Sequence, residues 1–262
     1  YDKPMIYYPL SILMNCRIRD IQIISTPNDI NRYENLFGDG KFLGLNISYA
    51  IQHTPGGIAE SLIICSEFIG DDNIVLILGD NIFHGENFQN YIKLAKKNLE
   101  QNNSSIFAVK VKNPESFGVI EFDENDDIVG IFEKPSNPKS KYIVSGLYFY
   151  TNDALNAVKK LEPSLRGELE ITDLNNYFLS KSRLKMIKLD NTISWIDTGT
   201  FSSLIEASKY FHHYELKTNT KPACIEEIAI KMGYVKKSDM LIIAEKMCNS
   251  DYGKYLLKIL KN

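Results

Sequence analysis

Five consecutive aliphatic residues, Ile74-Val75-Leu76-Ile77-Leu78, run without interruption into Gly79-Asp80-Asn81. A segment apolar on both faces suits a strand covered from both sides, as in a parallel sheet flanked by helices. The glycine lets the chain turn sharply and lets a ligand approach the backbone. Asp80 therefore stands just past a strand end. The pattern recurs where a strand over 193–196 runs into Asp197-Thr198-Gly199-Thr200. In open α/β sheets ligands gather at the carboxyl ends of strands, so these two aspartates are the first candidates for chemistry.

The flanking sequence supports an α/β fold. Pro4 fits the first turn of a helix that runs to about residue 16, with Pro9 as a flaw in it. Residues 21–25 read as a buried strand, and Asn28 or Asp29 can cap a helix ending near Phe37. Apolar residues alternate with small or polar ones over 42–51, the period of a strand. Gly56-Gly57 breaks the chain before a helix through Leu62 and Phe68. Further helices are expected over 87–99, 153–161, 168–179 and, capped by Thr200, 201–216. Strands are expected over 106–111, 118–122, 128–132 and 143–150, with a last pair over 185–189 and 193–196. Strand and helix alternate through the first hundred residues, the signature of a parallel sheet with helices on both faces. The middle third adds a smaller mixed sheet, and the C-terminal third is a helical appendage.

Composition removes several classes of function. The 262 residues include 30 basic and 33 acidic side chains, a net charge of -3. That balance does not suit a protein held to nucleic acid by counterion release. No stretch reaches the roughly 18 apolar residues of a membrane span, and the run over 5–14 lacks the basic flank and cleavage site of a signal peptide. Cys16, Cys65, Cys224 and Cys248 match no thiolate metal site or disulfide scaffold and read as reduced thiols of a cytoplasmic protein.

Strand ends carry the remaining candidates. Asp80 and Asp197 can share one hard divalent cation such as Mg²⁺, which takes oxygen ligands and keeps waters or substrate phosphates for the rest. The plainer alternative is a helix cap at Asp80 and a turn at Asp197. In Glu133-Lys134-Pro135 the carboxylate can accept sugar hydroxyls and the lysine can meet a phosphate; an ordinary charged turn is the alternative. Arg166 precedes a helix N-terminus, where an anion is favoured, unless it simply pairs with Glu168 or Glu170. Gln52, ahead of Pro55-Gly56-Gly57, offers a donor and an acceptor to the edge of a pyrimidine; a plain turn is equally compatible. His53, His84, His212 and His213 read as structural or solvent-facing.

Several long strings together, in this order, resemble the sugar-1-phosphate nucleotidylyltransferases: YDKPMIYYPLSILM from Tyr1, LGDNIFHG from Leu78, FGVIEF from Phe117, EKPSNPKS from Glu133, SGLYFY from Ser145, RGELEITDLN from Arg166, WIDTGT from Trp195 and DYGKYLL from Asp251. The resemblance spans nearly the whole chain. It implies a Rossmann-like, mostly parallel sheet in a catalytic core over 1–205, with a sugar-binding part at about 110–200. It also implies a helical oligomerisation or regulatory region over 206–262. The implied reaction joins dTTP and glucose 1-phosphate to give dTDP-glucose and pyrophosphate, for deoxysugar synthesis of the rhamnose type. By motif, Asp80 and Asp197 resemble the Mg²⁺ ligands. Gln52, Pro55, Gly57 and Leu78 resemble the nucleotide contacts, and Asn81, Gly118, Glu133 and Val144 the sugar contacts. Lys134 and Arg166 resemble the cations on the sugar phosphate. A cytoplasmic homotetramer is implied, with no nucleic acid and no membrane as partner. The resemblance departs at the start, because the family's glycine-rich GGxGTRL segment, with its Arg and Lys, does not occur in these residues. On that ground the chain is expected to be a fragment, inactive by itself. The alternatives are an inactive nucleotide-sugar-binding or regulatory paralogue, and a uridylyltransferase of the same family.

Overall fold

Pro9 lies inside the first helix without breaking it. In the computed structural model, which describes residues 1–261, α1 spans Tyr7–Asn15, so Pro9 is its third residue. Amides of a first helical turn have no partner within the helix, so a proline there removes no hydrogen bond. Next, β1 (Asp20–Ser25) and β2 (Asn46–Ile51) pair in parallel, Ile21 opposite Ile47, with α2 (Ile30–Phe37) between them in sequence. The alternating stretch enters β2 later than its pattern predicts. Gly40 and Gly44 take left-handed φ values of +78° and +69°, and a 3₁₀ turn fills the interval.

Two short helices, α3 (Glu60–Ile64) and α4 (Ser66–Ile69), lead to β3 (Ile74–Ile77) and β4 (Asn81–His84). Then come α5 (Phe88–Glu100), β5 (Ser104–Lys110), β6 (Gly118–Phe122), β7 (Ile128–Glu133) and β8 (Tyr142–Tyr150). The chain continues through α6 (Ala154–Val158), α7 (Ile171–Ser180), β9 (Leu184–Lys188) and β10 (Ser194–Asp197). It ends in α8 (Phe201–Thr218), α9 (Ile225–Lys231), α10 (Lys237–Lys246) and α11 (Asp251–Lys261). The Thr200 cap expected at α8 is present, and it takes the form of a capping box in which Thr200 and Ser203 each accept from the other's backbone amide.

The nine-residue β8 organises the main sheet, β7-β6-β8-β5-β9, with β3 also on β8. Alternate side chains serve two cores. Ile106, Ala108, Tyr148 and Tyr150 join Leu62, Leu174 and Phe178 on one face. Phe107, Val109, Leu147 and Phe149 join Ile12, Phe88 and Ile92 on the other. The α/β class with helices on both faces is therefore as expected. The strand directions are mixed rather than mostly parallel. The apolar run of β3 lies antiparallel to β8, as does β5, and only β1–β2 and β5–β9 are parallel among the described pairs. A continuous apolar run reports that both faces are covered; it carries no information about the direction of its neighbour. Nor do β9 and β10 pair with each other. Instead β9 joins β5, and β10 runs antiparallel to β4.

The C-terminal helices share a core with the N-terminal elements. Ile225, Ala229, Met240 and Leu256 pack with Leu13, Met14 and Leu45. All four cysteines are free, and only Cys248 is exposed. Among the described residues no helix is long and apolar enough to cross a membrane.

Candidate active site

The two aspartates are brought together by the β4–β10 ladder, which sets Asp197 opposite Asn81. The amide and hydroxyl of Thr198 both donate to the Asp80 carbonyl, at 2.9 and 2.7 Å. A strand follows Asp80, so the helix-cap alternative falls away. At Asp197 a turn does form, its Oδ1 accepting from the Gly199 amide at 2.8 Å. A Cβ on Gly199 would lie 3.0 Å from Asp197 Oδ1 and 3.5 Å from Asp80 Oδ2. Glycine thus keeps open the space that both carboxylates flank. Half-burial pushes the Asp197 carboxyl above its usual range, and the charge of Asp80 adds to that shift. A pair of hard oxygen donors beside an open space suits Mg²⁺, which needs few protein ligands. Among the described residues no cluster of three or more His, Cys, Asp and Glu side chains offers another metal site.

Beside the aspartates a polar cleft of about 190 Å³ gathers Leu78, Asn81, Gly118, Glu133, Lys134, Val144, Arg166 and Asp197 from several strand ends and loops. Glu133 ends β7, opposite Gly118 of β6. The Thr172 hydroxyl donates to its Oε2. Lys134 holds a left-handed φ of +44°, an uncommon conformation for a residue with a side chain. Its amide donates to the Phe117 carbonyl at 3.0 Å, and its ammonium stands 4.0 Å from Glu133 with its side chain half exposed.

Arg166 corrects an expectation. It stands five residues ahead of α7, not at the helix N-terminus. Its guanidinium meets both oxygens of Glu170 at 2.9 Å, Glu168 at 3.3 Å and Glu133 at 3.6 Å. The hydrogen bond to Glu170 is the main reason its pKa is raised further. The surface pairing weighed as the plainer reading is thus present, and it holds the cation at the cleft.

The remaining candidates lie across Leu78, which lines both this cleft and a second, apolar cavity of about 260 Å³ between β1 and β3. Gln52 reaches that cavity, while its amide nitrogen donates to the Gly57 carbonyl and to Glu60. Gly57 has a φ of +95°, and a Cβ there would come within 2.3 Å of the Leu169 carbonyl. The close approach demanding glycine is therefore to the 164–170 loop, and the Leu169 amide also donates to the Gly56 carbonyl at 2.8 Å. Pro55 is exposed on the same loop as Gly57 and lines neither space.

Among the cleft residues to which the sequence assigned no role are Trp195, Tyr148 and Thr172. All lie in strings singled out for other reasons. Tyr148 is buried, which raises its pKa. A signal for Trp195 was present, since it is the chain's one tryptophan and stands two residues before Asp197.

The chain matches the family described as Nucleotidyl transferase over residues 1–213. It is 48% identical to a glucose-1-phosphate thymidylyltransferase of Neisseria meningitidis, over 100% of this chain and 90% of that protein. It is 42% identical to one of Mycobacterium tuberculosis, again over 100% and 90%. A solved structure described as a putative glucose-1-phosphate thymidylyltransferase from Bacillus anthracis, in complex with a sucrose, superposes with a TM-score of 0.72 and 37% identity. It covers 79% of this chain and 82% of that one. A UDP-glucose pyrophosphorylase complexed with UDP-glucose shares the fold, with a TM-score of 0.68 at 21% identity over 81% and 88%.

Proposed function

The chain belongs to the nucleotidyl transferase family, and from that premise we propose that it transfers the thymidylyl group of dTTP to glucose 1-phosphate. The products are dTDP-glucose and pyrophosphate, the former feeding deoxysugar synthesis of the rhamnose type. The observation that carries this reading is the single cleft joining Asp197, Glu133, Lys134 and Arg166, with Asp80 and Asp197 flanking one open space beside Gly199. The near-complete coverage by relatives named for that activity supports it.

In the reaction a phosphate oxygen of the sugar attacks the α-phosphorus of dTTP. One P–O bond forms as the bond to pyrophosphate breaks. The protein has little covalent work to do; it aligns two anions and offsets their repulsion. Glu133, pinned by Thr172, accepts hydroxyls of the sugar, and Gly118 and Val144 bound the ring. Asn81 keeps one free N–H for it. Lys134 and Arg166 hold the sugar phosphate, for which Arg166 exchanges part of its contact with Glu133 and Glu168. Gln52 and Leu78, which wall the apolar cavity, take the base side. Asp80 and Asp197 would hold Mg²⁺, which when bound supplies positive charge at the reacting phosphates. We assign the protein to the cytoplasm, where its substrates reside, as a homotetramer. Exposed Phe201, Ile205 and Leu216 on α8 support burial of that helix between subunits.

The test is pyrophosphate release from dTTP and glucose 1-phosphate by the intact protein in Mg²⁺. Release that persists undiminished in Asp80→Asn or Asp197→Asn would overturn the assignment.

A further inference from the structure

Asp80 is exposed, yet one of its oxygens is held by a chain of hydrogen bonds that passes through a buried asparagine. Asn81 is 3% exposed. Its Oδ1 accepts from two donors, the Trp195 indole N–H at 2.7 Å and the Gly146 amide at 3.2 Å. Its Nδ2 donates to Asp80 Oδ1 at 2.9 Å. An asparagine side chain has two acceptor positions and two donors, so both acceptor positions and one donor are used within the protein. The arrangement has only one workable sense. With the amide turned over, its carbonyl oxygen would face a carboxylate, and its NH₂ would face two N–H donors. The buried Gly146 amide and the half-buried Trp195 indole would then lose their acceptor, a substantial cost. Trp195 is itself fixed, edge-on to Phe117 with ring centroids 5.6 Å apart, and by the β10–β4 register that places it opposite Phe83.

The geometry points to Trp195 as a positioning residue for the metal-binding carboxylate: its indole N–H locks Asn81, and Asn81 in turn holds Asp80 Oδ1 so that Oδ2 faces the open space beside Gly199 and Asp197. Trp195 touches no reacting atom in this role. The inference rests on the assignment of Asp80 and Asp197 as Mg²⁺ ligands. Its physical basis is that groups holding a ligand from behind set ligand orientation, and their loss commonly lowers metal affinity ~10–100-fold. A free aspartate at a strand end would otherwise sample several rotamers and meet the cation in only some of them.

The probe is Mn²⁺ alone, with binding to the intact protein measured by electron paramagnetic resonance, without substrates and without turnover. Trp195→Phe keeps an aromatic ring but removes the donor together with part of the indole. It is expected to raise the Mn²⁺ Kd ~10-fold with the melting temperature nearly unchanged. Asn81→Ala breaks the middle of the chain and is expected to weaken Mn²⁺ at least as much; it serves as the second measurement should Trp195→Phe fold poorly. In the Asp80→Asn background the further loss from Trp195→Phe should vanish, because its effect runs through Asp80. Wild-type Mn²⁺ affinity in Trp195→Phe, with Asp80→Asn impaired, would overturn the positioning role and leave the metal assignment standing. The positioning role is equally overturned if Trp195→Phe costs as much with Asn at position 80 as with Asp. Unchanged Mn²⁺ affinity in Asp80→Asn would overturn the metal assignment itself.

Discussion

The polar cleft beside β4 and β10 and the apolar cavity between β1 and β3 share Leu78 as a wall, yet they are built on opposite principles. In the cleft the functional side chains are held by directional partners: Asn81 by Trp195 and Gly146, Glu133 by Thr172, Glu170 by Ser164 and Arg166. The cavity is walled by Leu10, Leu13, Ile21, Ile24, Leu76 and Ile77. There β1 pairs with β2 and β3 with β8, and the edges that face each other are joined by no ladder. The Gln22 carbonyl oxygen is buried there without a partner. Hydrogen bonds fix orientation, which chemistry at phosphorus needs. Apolar contact fixes mainly volume. The cleft is thus organised around its acids before any ligand enters, at the cost of crowding like charges, whereas the cavity carries little charge and little direction.

Substituting the acids tests this contrast most severely. Asp80→Asn or Asp197→Asn is expected to lower kcat at least ~10³-fold through loss of charge at the reacting phosphates, while thermal melting barely moves. Melting far below wild type would mean that the acids hold the fold, and the contrast would fail. Next in size is the acceptor side. Lys134→Ala should raise the KM for glucose 1-phosphate ~10–100-fold, the worth of a charge-assisted hydrogen bond, and leave the KM for dTTP nearly unchanged. Weaker dTTP with unchanged sugar phosphate would move Lys134 to the other substrate. On the cavity side the sign reverses. Gln22→Leu removes an unpaired buried carbonyl and adds apolar surface, so stability should rise by ~1 kcal/mol, read as a higher melting temperature. A fall would show that Gln22 finds a partner in solution and that the cavity too is ordered by hydrogen bonds.

The smallest effect is the pH dependence of the metal-free protein. The Asp197 carboxyl titrates above its usual value of 3.8, chiefly because it is half-buried. Between the unfolded and folded values the native state binds more protons than the unfolded chain, so this group's contribution to stability falls as pH rises through that window. Asp197→Asn should flatten that part of the stability curve measured by denaturant titration. An unchanged slope would place the like-charge cost elsewhere.

Much of this site was legible residue by residue. Asp80 follows a strand and Asp197 ends one because Ile74-Val75-Leu76-Ile77 and the stretch ending at Ile196 are apolar and are closed by polar residues, all local features. Glu133 and Lys134 likewise close a strand that its own pattern reveals. Less was visible in β4. Its four residues, Asn81 to His84, are too few to show a period, and their strand character comes from pairing with β10. The partners of Arg166 were offered by the sequence as an alternative to anion binding, and only the folded loop shows three carboxylates around it.

Local sequence was enough for most of the elements, the helix ends at Thr200 and Gly38, the two-sided burial of the central strands and the strand-end placement of the acids. These follow from periodicity, turn residues and caps, which act over a few residues. Only the tertiary structure decided that β3 runs antiparallel to β8, that β9 and β10 go to different partners, and that Trp195 reaches back across 114 residues to hold Asn81. The physical reason is that a strand's own residues fix which faces are apolar, while its neighbour and direction depend on which distant edge completes its hydrogen bonds. A buried amide such as that of Asn81 takes its orientation from whichever donors the fold happens to bring to it.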